Sequence, residues 1–460
     1  MTLLSDALRT LSLDVIDIVK SSKKQGKINK IRLPWVRKVV MSFQYNEVDG
    51  LTYSTTYERF EKEIWDPRDL SQLVELIKSL STYTKARDII TKNYNLPLHS
   101  VDYYLELLTF NIVINAIEDT LDERKVDELI SLFLNDLENK ACYYKAEVWL
   151  RGIILKNEVL DIENGLRLRR PTPNDFSFEY PLDLLVWIRP SEPIIAPSAI
   201  LEAIQAVRSP SEIQEYVERL LLALKLYKPC SIVKIEATFK PVSILRFPFM
   251  EFSTTLPSIA YTCTISSKEL EHLRTFLAII EPLLPITRGR VEPREYISIS
   301  LQRYNDALSK SDFAESLTYA IMGLEAQYLT ESSELSHRLA QRVAKIMGLL
   351  GFDPREVYKE IKGAYNIRSK FIHGASLTKK EIDDASRLAN KVIRYLQLSI
   401  LTLLELKHVA KKDKREVLEL IDASMIDSSS EEKLREIINE NCRATLMISR
   451  RETASTQSTV

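Results

Sequence analysis

Residues 353–374 read Asp353-Pro354-Arg355-Glu356-Val357-Tyr358-Lys359-Glu360-Ile361-Lys362-Gly363-Ala364-Tyr365-Asn366-Ile367-Arg368-Ser369-Lys370-Phe371-Ile372-His373-Gly374. Both ends of a helix are written in this stretch. Asp353 is an N-cap, Pro354 fits the first helical position, and Glu356 falls at the third. Gly374 is the natural residue for a left-handed C-terminal stop. On a wheel of 100° per residue, Val357, Ile361, Ala364 and Arg368 fall within an arc of about 60°. Arg368 therefore occupies the apolar stripe, where a leucine is the ordinary choice. A guanidinium in that position is costly unless a carboxylate meets it.

The neighbouring segments carry the same kind of signals. Asp312-Phe313-Ala314-Glu315 resembles a capping box, followed by Leu317, Ile321, Leu324 and Tyr328 at helical spacing. Glu325 lies on the edge of that stripe and is the candidate partner for Arg368. A second helix spans about Ser336 to Met347 and stops at Gly348. Thr378 and Glu381 cap a further one, continued by Ile382, Ala385, Leu388, Val392, Leu396 and Leu403. Short links between amphipathic helices predict an antiparallel four-helix bundle over 291–410. Residues 411–460 read as a tail with one weak helix near 430–441 and then a polar, disordered end.

Upstream the pattern differs. Val159 to Arg169 alternates on both sides of Asn164-Gly165, a hairpin signal that predicts a type I′ turn. Ile232, Ile235, Ala237 and Phe239 suggest a strand, while 197–207 and 210–227 read as helices. Residues 141–290 thus form an α+β region, with Pro282–Pro293 as its boundary. Residues 1–140 read as mostly helical, from 1–18 and from stripes over 68–140. The fold class is mainly α, with a smaller α+β middle region.

Composition narrows the function classes. The chain has 460 residues, 45% apolar and 28% charged, with 10 glycines and a net charge of −1. That charge gives no bulk attraction to nucleic acid or anionic membranes. Many charges and few glycines suit a thermophilic source. The four cysteines, Cys142, Cys230, Cys263 and Cys442, form no CxxC pair, so neither a zinc site nor a disulfide framework is expected. Asp6 and Asp14 interrupt the leading leucines, and no apolar run approaches the roughly 18 residues of a membrane span. These features predict a cytoplasmic protein without membrane attachment. Rossmann, P-loop, GxSxG and HExxH signatures are all missing, so no cofactor or metal is expected.

What remains is a pair suited to phosphodiester chemistry. His373 can move the 2′-hydroxyl or leaving-group proton, and Arg368 can stabilise charge on a phosphorane-like transition state. Residues five apart on a regular helix diverge by about 140°. The two can therefore serve one phosphate only if the helix end unwinds or two copies share a groove. Tyr365, about 60° from Arg368 on the wheel, can line such a cleft or simply pack. From Arg338 to Lys370 there are eight Lys or Arg against Asp353, Glu356 and Glu360. Arg338, Arg342, Lys345 and Lys370 suit a phosphate backbone, although a solvated helix face gives the same pattern. The stretch Lys20–Lys38, with eight Lys or Arg, Trp35 inside it and Phe43 and Tyr45 after it, is a single-strand-binding cue or an exposed loop leading into a strand.

An Arg, four residues and a His ending the third helix of a four-helix bundle resemble the HEPN family, and its Apea-like branch in particular. The resemblance covers about residues 294–410 and rests on Gly323-Leu324-Glu325, on His337-Arg338-Leu339-Ala340-Gln341-Arg342-Val343-Ala344, and on Arg368-Ser369-Lys370-Phe371-Ile372-His373-Gly374. Arg169-Arg170-Pro171 and Leu221–Tyr227 look like the region upstream of such domains. The resemblance implies a homodimer, RNA as a partner, metal-independent cleavage by Arg368 and His373, and a role in defence or RNA processing. Active members often carry Asn, Asp or His after the arginine, where this chain has Ser369. Other members are non-catalytic binding or dimerisation modules, and that alternative stays open.

Overall fold

The structure is a computed structural model that describes residues 2–46, 50–176, 178–181, 197–253, 261–287, 290–291, 295–331 and 333–456. Helix α1 (Thr2–Lys24) buries Leu4, Leu8, Leu11, Val15 and Val19, which is the stripe its sequence spells. Helices α2 (Pro67–Lys78), α3 (Ser81–Tyr94), α4 (Leu98–Ile117) and α5 (Glu123–Leu137) complete this first core. Between α1 and α2 the chain forms a long antiparallel hairpin, β1 (Lys30–Asn46) and β2 (Gly50–Trp65).

The hairpin changes the reading of the basic stretch. Arg37 and Lys38 face Glu58 and Tyr57 across the ladder, and Pro34 faces Glu61. Arg32 pairs with Glu63 at 3.1 Å. The aromatics are covered too: Lys62 lies 4.5 Å from the Trp35 ring centre, and Lys30 lies 4.9 Å from that of Trp65. Arg32, Lys30, Arg37 and Trp35, which look free in sequence, are thus engaged by the opposite strand. Phe43 and Tyr45 stand at ladder positions opposite Tyr53 and Leu51.

The middle region is a six-stranded antiparallel sheet in the order β10-β9-β3-β8-β6-β5. Its strands are β3 (Cys142–Arg151), β5 (Val159–Glu163), β6 (Leu166–Arg169), β8 (Ala199–Val207), β9 (Val233–Pro241) and β10 (Phe249–Phe252). The remaining short strands are β4 (Ile153–Leu155), β7 (Phe178–Pro181), β11 (Cys263–Ile265), β12 (Ile286–Thr287) and β13 (Arg290–Val291). Helices α6 (Pro210–Tyr227) and α7 (Leu270–Ile280) pack against the sheet.

Two expectations fail here. Residues 199–207 form strand β8, not a helix. Ala, Leu and Glu favour helix locally, but β8 is central, paired with β3 on one side and β6 on the other, and that tertiary pairing wins. The 159–169 hairpin exists, yet only Gly165 (φ 81°) is left-handed, so the turn is not type I′. A bulge between Asp161 and Glu163 adjusts the register instead.

From residue 295 onward the described chain is helical: α8 (Tyr296–Ser309), α9 (Phe313–Tyr328), α10 (Leu335–Leu349), α11 (Pro354–Ile372) and α12 (Lys379–His408). The caps form as the sequence spells them. Asp312, Asp353 and Thr378 accept main-chain N–H groups of Glu315, Arg355 and Glu381 respectively. Helix α9 packs against α8, α11 and α12, and α10 packs against α11. Among the described residues one continuous core joins the sheet to these helices, across the boundary expected at 282–293. Tyr304 of α8 donates to the Lys225 carbonyl at 2.7 Å. Gln397 of α12 donates to that of Leu226 at 2.5 Å.

The tail reading is also corrected. Helices α13 (Lys414–Ser424), α14 (Ser428–Asn441) and α15 (Arg443–Thr456) follow α12. They bury Ile421, Leu434, Ile438, Cys442 and Ile448. Each fully buried aliphatic side chain of that size contributes roughly 1.5–3 kcal/mol, enough to hold such a helix down. Glu405, inside α12, accepts the N–H groups of Ala444 and Thr445 at 2.8 and 2.9 Å and so closes the start of α15. The last residues, 457–460, lie outside the described chain. No described helix is long and apolar enough to cross a membrane.

Candidate functional site

Arg368 leaves α11 on the stripe of Val357, Ile361 and Ala364, all buried. Its side chain is 20% exposed, and one terminal nitrogen donates to Glu325 of α9 at 2.8 Å. The guanidinium also lies 5.6 Å from the ring centre of Tyr365, one turn earlier. Glu325, Arg368 and Tyr365 thus bring α9 and α11 together in a small polar cluster. Burial pushes the Glu325 carboxyl above its usual range, and Arg368 offsets this only in part. Burial likewise raises the Tyr365 phenol, and the charge on Glu325 adds to the effect.

One atom of this cluster is unsatisfied. The Arg368 Nε is enclosed and has no hydrogen-bond partner. An arginine offers five N–H donors in a planar fork, and leaving an enclosed one unmet costs about 1–3 kcal/mol. The guanidinium is therefore held in place by Glu325 and Tyr365 while keeping unused donor capacity.

His373 ends α11. Its N–H bonds the Ser369 carbonyl at 3.1 Å, Gly374 bonds Phe371 at 3.2 Å, and Ala375 bonds Lys370 at 3.0 Å. With Gly374 at φ 69°, this is a regular Schellman closure. The helix end is not unwound, and that route to convergence with Arg368 is closed within one chain. The imidazole is exposed, and no described side chain hydrogen-bonds to it. Ser369 is half-buried between the pair. Phe371 (40% exposed) and Ile372 (47%) place apolar surface next to the histidine in the chain, and Ile382 (55%) adds to it in the first turn of α12.

The four basic residues read as a phosphate-facing set divide sharply. Arg342 is buried and bonds the Glu331 and Asp422 carboxylates at 2.6–3.1 Å and the Tyr328 carbonyl at 2.5 Å. This corrects its assignment to a nucleic-acid surface, because no donor is left to offer a phosphate. It pulls the Glu331 carboxyl down to about 2. Lys345 pairs with Glu431 at 2.7 Å and is mostly buried, so it too fastens the tail helices. Arg338 is 40% exposed and leans on Glu331 and Glu334. Lys370, 49% exposed, pairs with Glu381 at 2.6 Å. Only Arg338 and Lys370 of the four remain near solvent.

The sequence reading missed the tail as a source of functional contacts. Its signal was present: Asp413-Lys414-Arg415-Glu416 is a reciprocal capping box. Comparison of the chain with protein-family models, curated proteins and solved structures finds no match.

Proposed function

We propose that this protein is a HEPN-type, metal-independent endoribonuclease whose cleft forms where two copies bring their Arg368 and His373 together. The observation that carries the reading is Arg368 itself. It is a stripe arginine fixed by Glu325 and Tyr365, with its Nε unmet. A phosphate oxygen would meet the terminal N–H donors that Glu325 does not use and gain charge stabilisation in a partly dry setting. His373, exposed at the end of a regular helix about 140° round from Arg368, cannot reach the same phosphate from the same chain. A second copy docking over Phe371, Ile372 and Ile382 would supply the missing half.

A non-catalytic reading is favoured by one observation: no described group orients the His373 ring, whereas general bases usually have such a partner. On that reading the region binds RNA or a protein. The experiment is cleavage of a labelled single-stranded RNA in excess chelator, comparing wild type with Arg368→Ala and His373→Ala. Each substitution should lower cleavage by about 100-fold or more. RNA left intact by the wild type, or variants that match it, would sink the ribonuclease reading. Binding that survives His373→Ala without cleavage supports the module instead.

A further inference from the structure

A second cluster of cations lies where α12 ends and α13 begins. A cavity of about 590 Å³ there is lined by Lys407, Lys411, Lys412, Lys414 and Arg415. Glu295 and Asp413 also line it, so five cations face two carboxylates. Neither carboxylate is idle. Asp413 accepts the Glu416 N–H at the start of α13, and Glu295 pairs with Lys407. Lys412 and Arg415 rest on Glu416 and Glu419, in pairs of 3.2 and 2.9 Å. Pairs this exposed contribute about 0–1 kcal/mol and are readily exchanged for a better anion.

Two lysines, Lys411 and Lys414, form no ion pair among the described residues, although Glu331 lies near enough to Lys414 to act on its charge. Lys411 closes α12 with a left-handed backbone (φ 54°), at a position where glycine is the usual residue. Lys414 donates to the main-chain carbonyls of Ala326 and Leu329, at 2.8 and 2.9 Å. Its ammonium also sits 5.5 Å from the Tyr296 ring centre. An ammonium has three donors, so one remains. Burial and the nearby Arg342 push Lys414 below its ordinary range. Burial, then Lys407, push His408 down as well. The excess of positive charge is in the lining itself, five cations against two carboxylates.

We propose that this cavity binds the phosphate groups of a small polyphosphate compound of the nucleoside triphosphate class, held by Lys411, Lys412 and Lys414 beside Tyr296. Lys414 itself bonds the last turn of α9, next to Glu325, and so links this cavity to the helix that carries the carboxylate of Arg368. The proposal stands apart from the ribonuclease reading, and binding should be unchanged in Arg368→Ala.

The test is titration calorimetry at low salt with inorganic tripolyphosphate, ATP and a short single-stranded RNA as separate probes. Saturable one-to-one binding of tripolyphosphate or ATP is expected. Lys411→Glu with Lys412→Glu should weaken it roughly tenfold or more, whereas Lys433→Glu on exposed α14 should leave it unchanged. Lys411→Gln, the milder variant, should weaken it by a smaller factor in the same direction and guards against a folding defect. No saturable binding of either polyphosphate, binding of RNA alone, or equal weakening by Lys433→Glu would each overturn the proposal.

Discussion

Arg342 and Arg368 stand on adjacent helices, both largely enclosed, and the sequence presents them alike, as cations among helical residues. The structure separates them by saturation. Arg342 makes five hydrogen bonds, to Glu331, Asp422 and the Tyr328 carbonyl. Arg368 makes one, to Glu325, and its Nε has no partner. A saturated arginine ties elements together: Arg342 joins α10 to the end of α9 and to α13. On the proposed reading, an arginine held in place with terminal donors to spare is the one that a phosphate meets. Burial alone does not distinguish the two roles; the account of each donor does.

The contrast predicts stability and activity moving in opposite directions. Arg342→Ala should be the most damaging change, about 3 kcal/mol in urea or thermal denaturation, because it strands two carboxylates and a carbonyl. Hydrogen exchange should quicken over 414–441 in that variant. Arg368→Ala should cost less, about 1–2 kcal/mol, since a single bond to Glu325 is lost. A loss as large as that of Arg342→Ala would erase the distinction.

Acid should test the saturated arginine in a second way. Glu331 has a carboxyl lowered from 4.5 to about 2, first by its hydrogen bond to Arg342. A lowered carboxyl contributes stability above its unfolded value and loses it as pH falls toward the folded one. Urea midpoints of the wild type should therefore drop more steeply from pH 5 to pH 3 than those of Arg342→Met. Parallel curves would contradict that link. The smallest effect belongs to the hairpin, where Arg32→Ala should change stability by about 0.5 kcal/mol or less. A larger change would mean that the ribbon's exposed ion pair does more than the surface pairs elsewhere.

What was legible in the sequence follows the reach of each interaction. Asp353 with Pro354, Thr378 with Glu381, and Gly374 act within one turn, and all three ends are where they were read. Glu325 was readable as the partner of Arg368 because helix periodicity places it on the facing stripe. Strand β8 was not readable, since Ile200–Val207 has helical local preferences and becomes a strand only between β3 and β6. In the basic stretch the strand was anticipated, but the partner of Arg32 was not readable, because Glu63 lies on the opposite strand of the ribbon. Arg342 depends on Asp422, 80 residues away, so its structural role could not be read from its surroundings. The Asp413–Glu416 box was local and sufficient to reveal α13.

The central claim is that Arg368, not Arg342, is the arginine kept for a phosphate. Its most direct test is the rate of RNA cleavage in chelator by Arg368→Ala, measured against wild type at equal folded fraction. The account predicts a loss of about 100-fold or more with the fold intact. Undiminished cleavage by the folded variant would contradict it.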